Sequence, residues 1–84
     1  MEWKVENNNL TREFEFLNFV EAVHFVDMIL PLAEKENHHP DVLIHSYKHV
    51  KVMLCTHSLN SITDKDYELA KGIDEVWLEY VKGL

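Results

Sequence analysis

The chain has a single cysteine, Cys55. No internal disulfide can form, a cysteine-ligated zinc site is excluded, and the lone thiol fits a reducing, cytoplasmic setting. Cations are scarce too: eight Lys and Arg stand against fifteen Asp and Glu, for a formal charge of −7. Neutralising a phosphate backbone needs a cationic face, so direct nucleic-acid binding is not expected, and the same balance argues against anionic membrane surfaces. No apolar run approaches the ~20 residues that span a bilayer. The opening MEWKVENNNL is too polar to read as a signal peptide. Linkers, repeats and low-complexity stretches are lacking as well. What is left is one small domain of ordinary globular composition, 46% hydrophobic and 27% charged over 84 residues. Its core must be thin, and oligomerisation would help to complete it.

Local patterns then divide the chain. Trp3–Val5 and Leu10–Phe16 read as extended on either side of a turn at 7–9 (NNN). In TREFEF, Phe14 and Phe16 alternate with Glu13 and Glu15, the period of a half-buried strand. Asn18 followed by Glu21 resembles a capping box, with Asn accepting an early helical N–H and Glu reaching back. The helix that follows carries an apolar stripe of Phe19, Ala22, Val23, Val26, Ile29, Leu30 and Ala33. Pro31 removes a hydrogen bond to the Asp27 carbonyl, which predicts a kink, or a break with a short second helical piece to about Glu36. Val42–Tyr47 and Val50–Thr56 read as a strand hairpin. Thr63 with Asp66 is a second cap signal, opening a helix over about Asp64–Tyr80 whose stripe is Leu69, Ala70, Ile73, Val76, Trp77 and Tyr80. The order points to an α+β domain, an antiparallel sheet with its helices on one face.

The stretch ENHHPD, Glu36 to Asp41, carries the chemistry. Pro40 forces His39 toward an extended conformation, so the histidine pair sits at a helix-to-strand junction. His57 ends another strand, Glu34 lies one helical turn before His38, and Asp66 opens the last helix. Element ends are where binding residues collect. Imidazole both gives and takes protons near neutral pH. Two imidazoles on one pocket can protonate a leaving hydroxyl and remove a proton elsewhere, which is the chemistry of a dehydration, with a neighbouring carboxylate orienting one of them.

The succession Glu34, His38-His39-Pro40, Tyr47, His57, Asp66 resembles the signature of the pterin-4a-carbinolamine dehydratase family. The AEK before it, the TH at 56–57, TDKDYELAKGIDEV and FEFLNFVEAVHFV are similar to the same family, so the likeness spans nearly the whole chain. It implies a four-stranded antiparallel sheet with two or three helices packed on one face, assembled as a homodimer or homotetramer. It also implies removal of water from 4a-hydroxytetrahydropterin to give quinonoid dihydropterin, recycling the pterin after aromatic amino-acid hydroxylation, with no metal and no bound cofactor. By match, His38 and His57 would be the acid–base pair and His39 would orient the pterin. Glu34 and Asp66 would be supporting carboxylates, and Asn37, Cys55, Thr56 and Ser58 would line the substrate pocket. Three departures stand out: Leu59-Asn60-Ser61 replaces a glycine-containing turn, Cys55 and Ser58 replace types more often polar or acidic, and Pro31 is atypical.

Two rival functions are set beside this one. A zinc hydrolase would use the histidines and a carboxylate as ligands, although neighbouring His38 and His39 would strain to reach one ion and no HExxH spacing is present. A protein-docking module of the same fold would meet a partner hydroxylase or a regulator through a helical surface; the last helix, with Trp77, Leu78, Tyr80 and Val81, carries more apolar surface than one face needs, which suits a homo-oligomer interface. His24, His45 and His49 read as ordinary surface or half-buried residues. Trp77 and Tyr80 read as core or subunit-interface aromatics, Trp3 as a pocket edge or a strand-end anchor, and Cys55 as a small residue without thiol chemistry.

Overall fold

A computed structural model describes residues 2–84. Six elements follow in order: strand β1 (Lys4–Glu6), strand β2 (Asn9–Glu15), helix α1 (Phe19–Glu36), strand β3 (Asp41–His45), strand β4 (His49–Leu54) and helix α2 (Asp64–Lys82). The fold is α+β. Four antiparallel strands run in the order β1-β2-β4-β3, and both helices cover one face.

Alternation sets that face. Phe14, Phe16, Val50, Val52 and Leu54 are buried beneath the helices, while Glu13 and Glu15 are exposed on the other side. Register follows from it: Phe14 lies opposite Val50, and Val52 is flanked by Arg12 and Val42. Asn7 and Asn8 both hold positive φ, 49° and 63°, and link Glu6 to its partner Asn9 as a two-residue turn of the kind that matches strand twist. The aromatic core is continuous across layers. Phe25 of α1 has ring centroids 4.9 Å from Phe14 and 5.1 Å from Phe16, and Trp77 and Tyr80 of α2 lie 5.8 and 6.0 Å from Phe25. Trp3 is a strand-end anchor: it is buried, and its indole N–H donates to Asp74 of α2 at 2.7 Å.

Several local expectations are corrected. Of the two outcomes expected at Pro31, a kink or a break, the break does not occur: helix α1 is one element from Phe19 to Glu36, and the described residues form two helices. Pro31 and Asp27 are both exposed, so water can take the carbonyl that the proline leaves free. The Asn18 cap is present, its Oδ1 accepting the Glu21 N–H at 2.9 Å, but the Glu21 carboxylate does not reach back. It accepts the Tyr80 hydroxyl at 2.9 Å. Strand β3 stops at His45, because Ser46 and Tyr47 turn the chain with φ of 50° and 73°. Strand β4 stops at Leu54, and Thr56 makes only an isolated bridge with Ser61. Helix α2 continues past Tyr80 to Lys82.

Candidate active site

The end of α1 aims the histidine pair. Asn37 adopts the left-handed conformation, φ 49°, as the helix cap. Its N–H bonds the Glu34 carbonyl at 3.3 Å, and the His38 N–H returns to the Ala33 carbonyl at 3.2 Å. These are the two bonds of a Schellman closure, and they fix the main chain at His38. Pro40 follows, β3 begins at Asp41, and the pair is strung between two anchored elements. The two rings then part company. His38 Nε2 lies 2.6 Å from Asp66 Oδ1, and His39 Nε2 lies 2.5 Å from Glu34 Oε2.

The environments of these two pairs differ. Glu34 and His39 are largely exposed, with side chains 64% and 57% accessible, whereas Asp66 is fully buried and His38 only 13% accessible. Exposed pairs of this sort contribute little. Asp66 is held on every side: its Oδ2 accepts the Thr63 main-chain N–H at 2.8 Å and the Thr56 hydroxyl at 2.9 Å. Thr63 and Asp66 are also the capping box that starts α2, so one carboxylate serves the helix end and the histidine. Burial works to raise the Asp66 carboxyl. The His38 hydrogen bond, the Thr63 N–H, the Thr56 hydroxyl and the His38 charge outweigh it and hold Asp66 below the usual carboxylate value.

The third histidine comes from the loop after β4. The Thr56 N–H bonds the Ser61 carbonyl at 2.9 Å and closes the segment that carries His57 and Ser58. Asn60 supplies the left-handed residue of this turn, φ 49°, where a glycine would otherwise be used. His57 is exposed, with Nε2 3.7 Å from Asp41 Oδ2.

His38, His39 and His57 line one open hollow of about 390 Å³, together with Asn37, Cys55, Thr56 and Ser58. Glu34 and Asp66 do not line it; they stand behind His39 and His38. Asp41 and Lys65 also line it and were missed by sequence reasoning. Their signal was adjacency: Asp41 directly follows the histidine-proline run, and Lys65 lies inside the capping box. Tyr47 of the signature sits on the exposed β3–β4 turn, outside the hollow. The other histidines lie elsewhere. His45 and His49 stack, at 5.4 Å between ring centroids, and share Glu13 on the helix-free side of the sheet, while His24 is exposed on α1. Among the described residues no group of three or more His, Cys, Asp or Glu side chains is placed to hold a metal ion. A larger hollow of about 450 Å³, between the start of α1 and the end of α2, contains none of the three site histidines. No helix among the described residues is long and apolar enough to cross a membrane.

Comparison with known proteins adds an independent line. A protein of Sulfolobus acidocaldarius, provisionally named a pterin-4-alpha-carbinolamine dehydratase, is 46% identical over 74 residues, covering 88% of this chain and 80% of the relative. One of Picosynechococcus, provisionally named in the same way, is 43% identical over 75 residues, covering 89% and 80%. Among solved structures, the transcriptional coactivator/pterin dehydratase of Brucella melitensis superimposes with a TM-score of 0.79 at 32% identity, over 89% of this chain and 81% of that one. A pterin dehydratase-like protein, described as a RuBisCO assembly factor in the alpha-carboxysome, shares the fold alone: TM-score 0.68 at 19% identity, over 88% and 84%. The sequence model of the family described as pterin 4 alpha carbinolamine dehydratase matches residues 1–76, and with the two curated relatives it shows that the chain belongs to that family.

Proposed function

We propose that the protein is a hydro-lyase that converts 4a-hydroxytetrahydropterin to quinonoid dihydropterin. The observation that carries this reading is the convergence of His38, His39 and His57, from two separate segments, on one hollow, with His38 backed by a buried carboxylate. Loss of water across C4a and N5 breaks the C4a–O bond, forms the C4a=N5 bond and releases the N5 proton. One imidazolium gives its proton to the departing hydroxyl, and one neutral imidazole takes the N5 proton. The step is redox-neutral, so the proposal needs no electron acceptor. His38 and His57 fill these two roles. His39, steered by Glu34, orients the bicyclic ring, with Asn37, Cys55 and Ser58 beside it. In the cell this would recycle tetrahydropterin after aromatic amino-acid hydroxylation, in the cytoplasm, with the chain acting as a homodimer or homotetramer.

The test is an absorbance assay of freshly generated 4a-hydroxytetrahydropterin with purified protein. A decay faster than the spontaneous one supports the reading, and an unchanged decay overturns it. A second reading, a docking module without turnover, is favoured by Leu78, Val81 and Leu84, which lie exposed at the end of α2. Absence of any pterin binding by calorimetry would select it.

A further inference from the structure

We infer that Thr56 is a positioning residue that, through Asp66, fixes His38 as its Nε2–H form and leaves Nδ1 as the atom that exchanges a proton with substrate. The inference rests on the hydro-lyase reading only for the word substrate; its structural part stands without it.

Asp66 Oδ2 receives the Thr63 main-chain N–H and the Thr56 O–H. The Thr56 hydroxyl has a single proton, and it goes to Asp66. In its 2.7 Å contact with Thr63, Thr56 Oγ1 therefore accepts and the Thr63 hydroxyl donates. The donors line up in one direction, from Thr63 through Thr56 to Asp66. An oxygen that accepts two protons from fixed donors favours the ionised carboxylate. An ionised carboxylate can only accept, so the proton in the 2.6 Å contact with Oδ1 belongs to His38 Nε2.

The other ring nitrogen follows by elimination. When one nitrogen of a neutral imidazole carries the proton, the other holds the lone pair. Among the described residues His38 bonds through Nε2 alone, and no side-chain nitrogen or oxygen is both sealed from solvent and without a partner. Nδ1 is therefore reachable from outside, and the open space bordering this ring is the hollow. Thr56 is itself buried, with its hydroxyl committed to Asp66 and Thr63, so its effect on the reaction travels through Asp66.

Histidine-selective ¹⁵N NMR of the ligand-free protein tests this, with His38→Gln used to assign the signal. In the neutral ring, Nε2 should be the protonated nitrogen, its proton far downfield and slow to exchange. Thr56→Ser should keep that signal. Thr56→Val should move it upfield, speed its exchange and admit the Nδ1–H form. A wild-type His38 protonated on Nδ1, or a Thr56→Val signal identical to wild type, overturns the inference whether or not the protein turns over pterin. In the absorbance assay, Thr56→Val should lower kcat about tenfold, part of what general acid–base catalysis supplies, with KM little changed, and Thr56→Ser should restore it. A loss of kcat with an unaltered NMR signal overturns the inference and leaves the hydro-lyase reading in place. Should the valine variant fail to fold, the wild-type and serine spectra decide.

Discussion

The His38 imidazole and the Asp66 carboxylate meet at 2.6 Å, and only the carboxylate is fully sealed from water. A buried carboxylate with four oxygen-directed contacts or charges in its favour is a stability element as well as a candidate catalytic support.

Acid should expose that element. Asp66 is held below the ordinary carboxylate value in the folded chain, so the unfolded chain takes up its proton first as pH drops. The contribution is complete above the unfolded value near ~3.9 and is lost as pH falls through the lower folded value. Denaturant titrations from pH 6 down to pH 2 should show wild-type stability falling more steeply than that of Asp66→Asn below about pH 4, with little difference in slope above it.

At neutral pH, Asp66→Asn should itself cost about 1–3 kcal/mol. An amide nitrogen in place of Oδ2 would face two donors, the Thr63 N–H and the Thr56 hydroxyl. Urea midpoints measure it. Glu34→Gln, at an exposed pair, should stay within about 1 kcal/mol of wild type.

Turnover should separate the histidines. His38→Ala and His57→Ala are expected to lower kcat by about a hundredfold or more with folding retained, whereas His24→Ala, on exposed α1 surface, leaves the rate unchanged. Circular dichroism and the pterin assay check both halves. Equal losses at all three positions would point to general destabilisation.

The Asn37 backbone offers a conformational test. Its φ of 49° suits asparagine or glycine. Asn37→Gly should hold stability within about 0.5 kcal/mol, since glycine takes this conformation freely. Asn37→Val should lose about 1–2 kcal/mol and turnover as well, because His38 is the next residue. Melting temperature and the assay read the two effects.

Asp74 joins strand and helix layers away from the hollow. Its Oδ1 accepts both the Trp3 indole and the Arg12 guanidinium at 2.7 Å. Asp74→Ala would leave both donors without this partner and should cost about 1–3 kcal/mol. Glu75→Ala, exposed on the same helix, should stay within about 0.5 kcal/mol.

What could be read from the residues was local. Phe14 and Phe16 announce their strand through alternation, and Asn18 announces α1 through an N–H three residues on. The histidine-proline run announces a junction, because Pro40 dictates its neighbour's backbone. Misreadings came where solvent or a distant partner decides. Pro31 breaks nothing, because it sits on the exposed side of α1. Ser46 and Tyr47 end β3 with positive φ although neither is a type that takes that conformation readily. Glu21 turns from its own helix end to Tyr80, 59 positions away. The pairing of His38 with Asp66 spans 28 positions, and only the folded chain shows that Glu34, nearer in sequence, belongs to His39 instead. Asp41 and Lys65 reach the hollow through the path of the chain around it, so their adjacency to the histidine-proline run and to the capping box takes on meaning only in the fold.

The first turn of α2 has two duties that cannot be uncoupled. Thr63 and Asp66 start the helix, and the same carboxylate grips His38 from the far side. Fraying there, of the kind amide exchange detects, would release the imidazole while the aromatic interior stayed shut. Loosening one helical end is therefore enough to free this ring, while the rest of the chain stays folded.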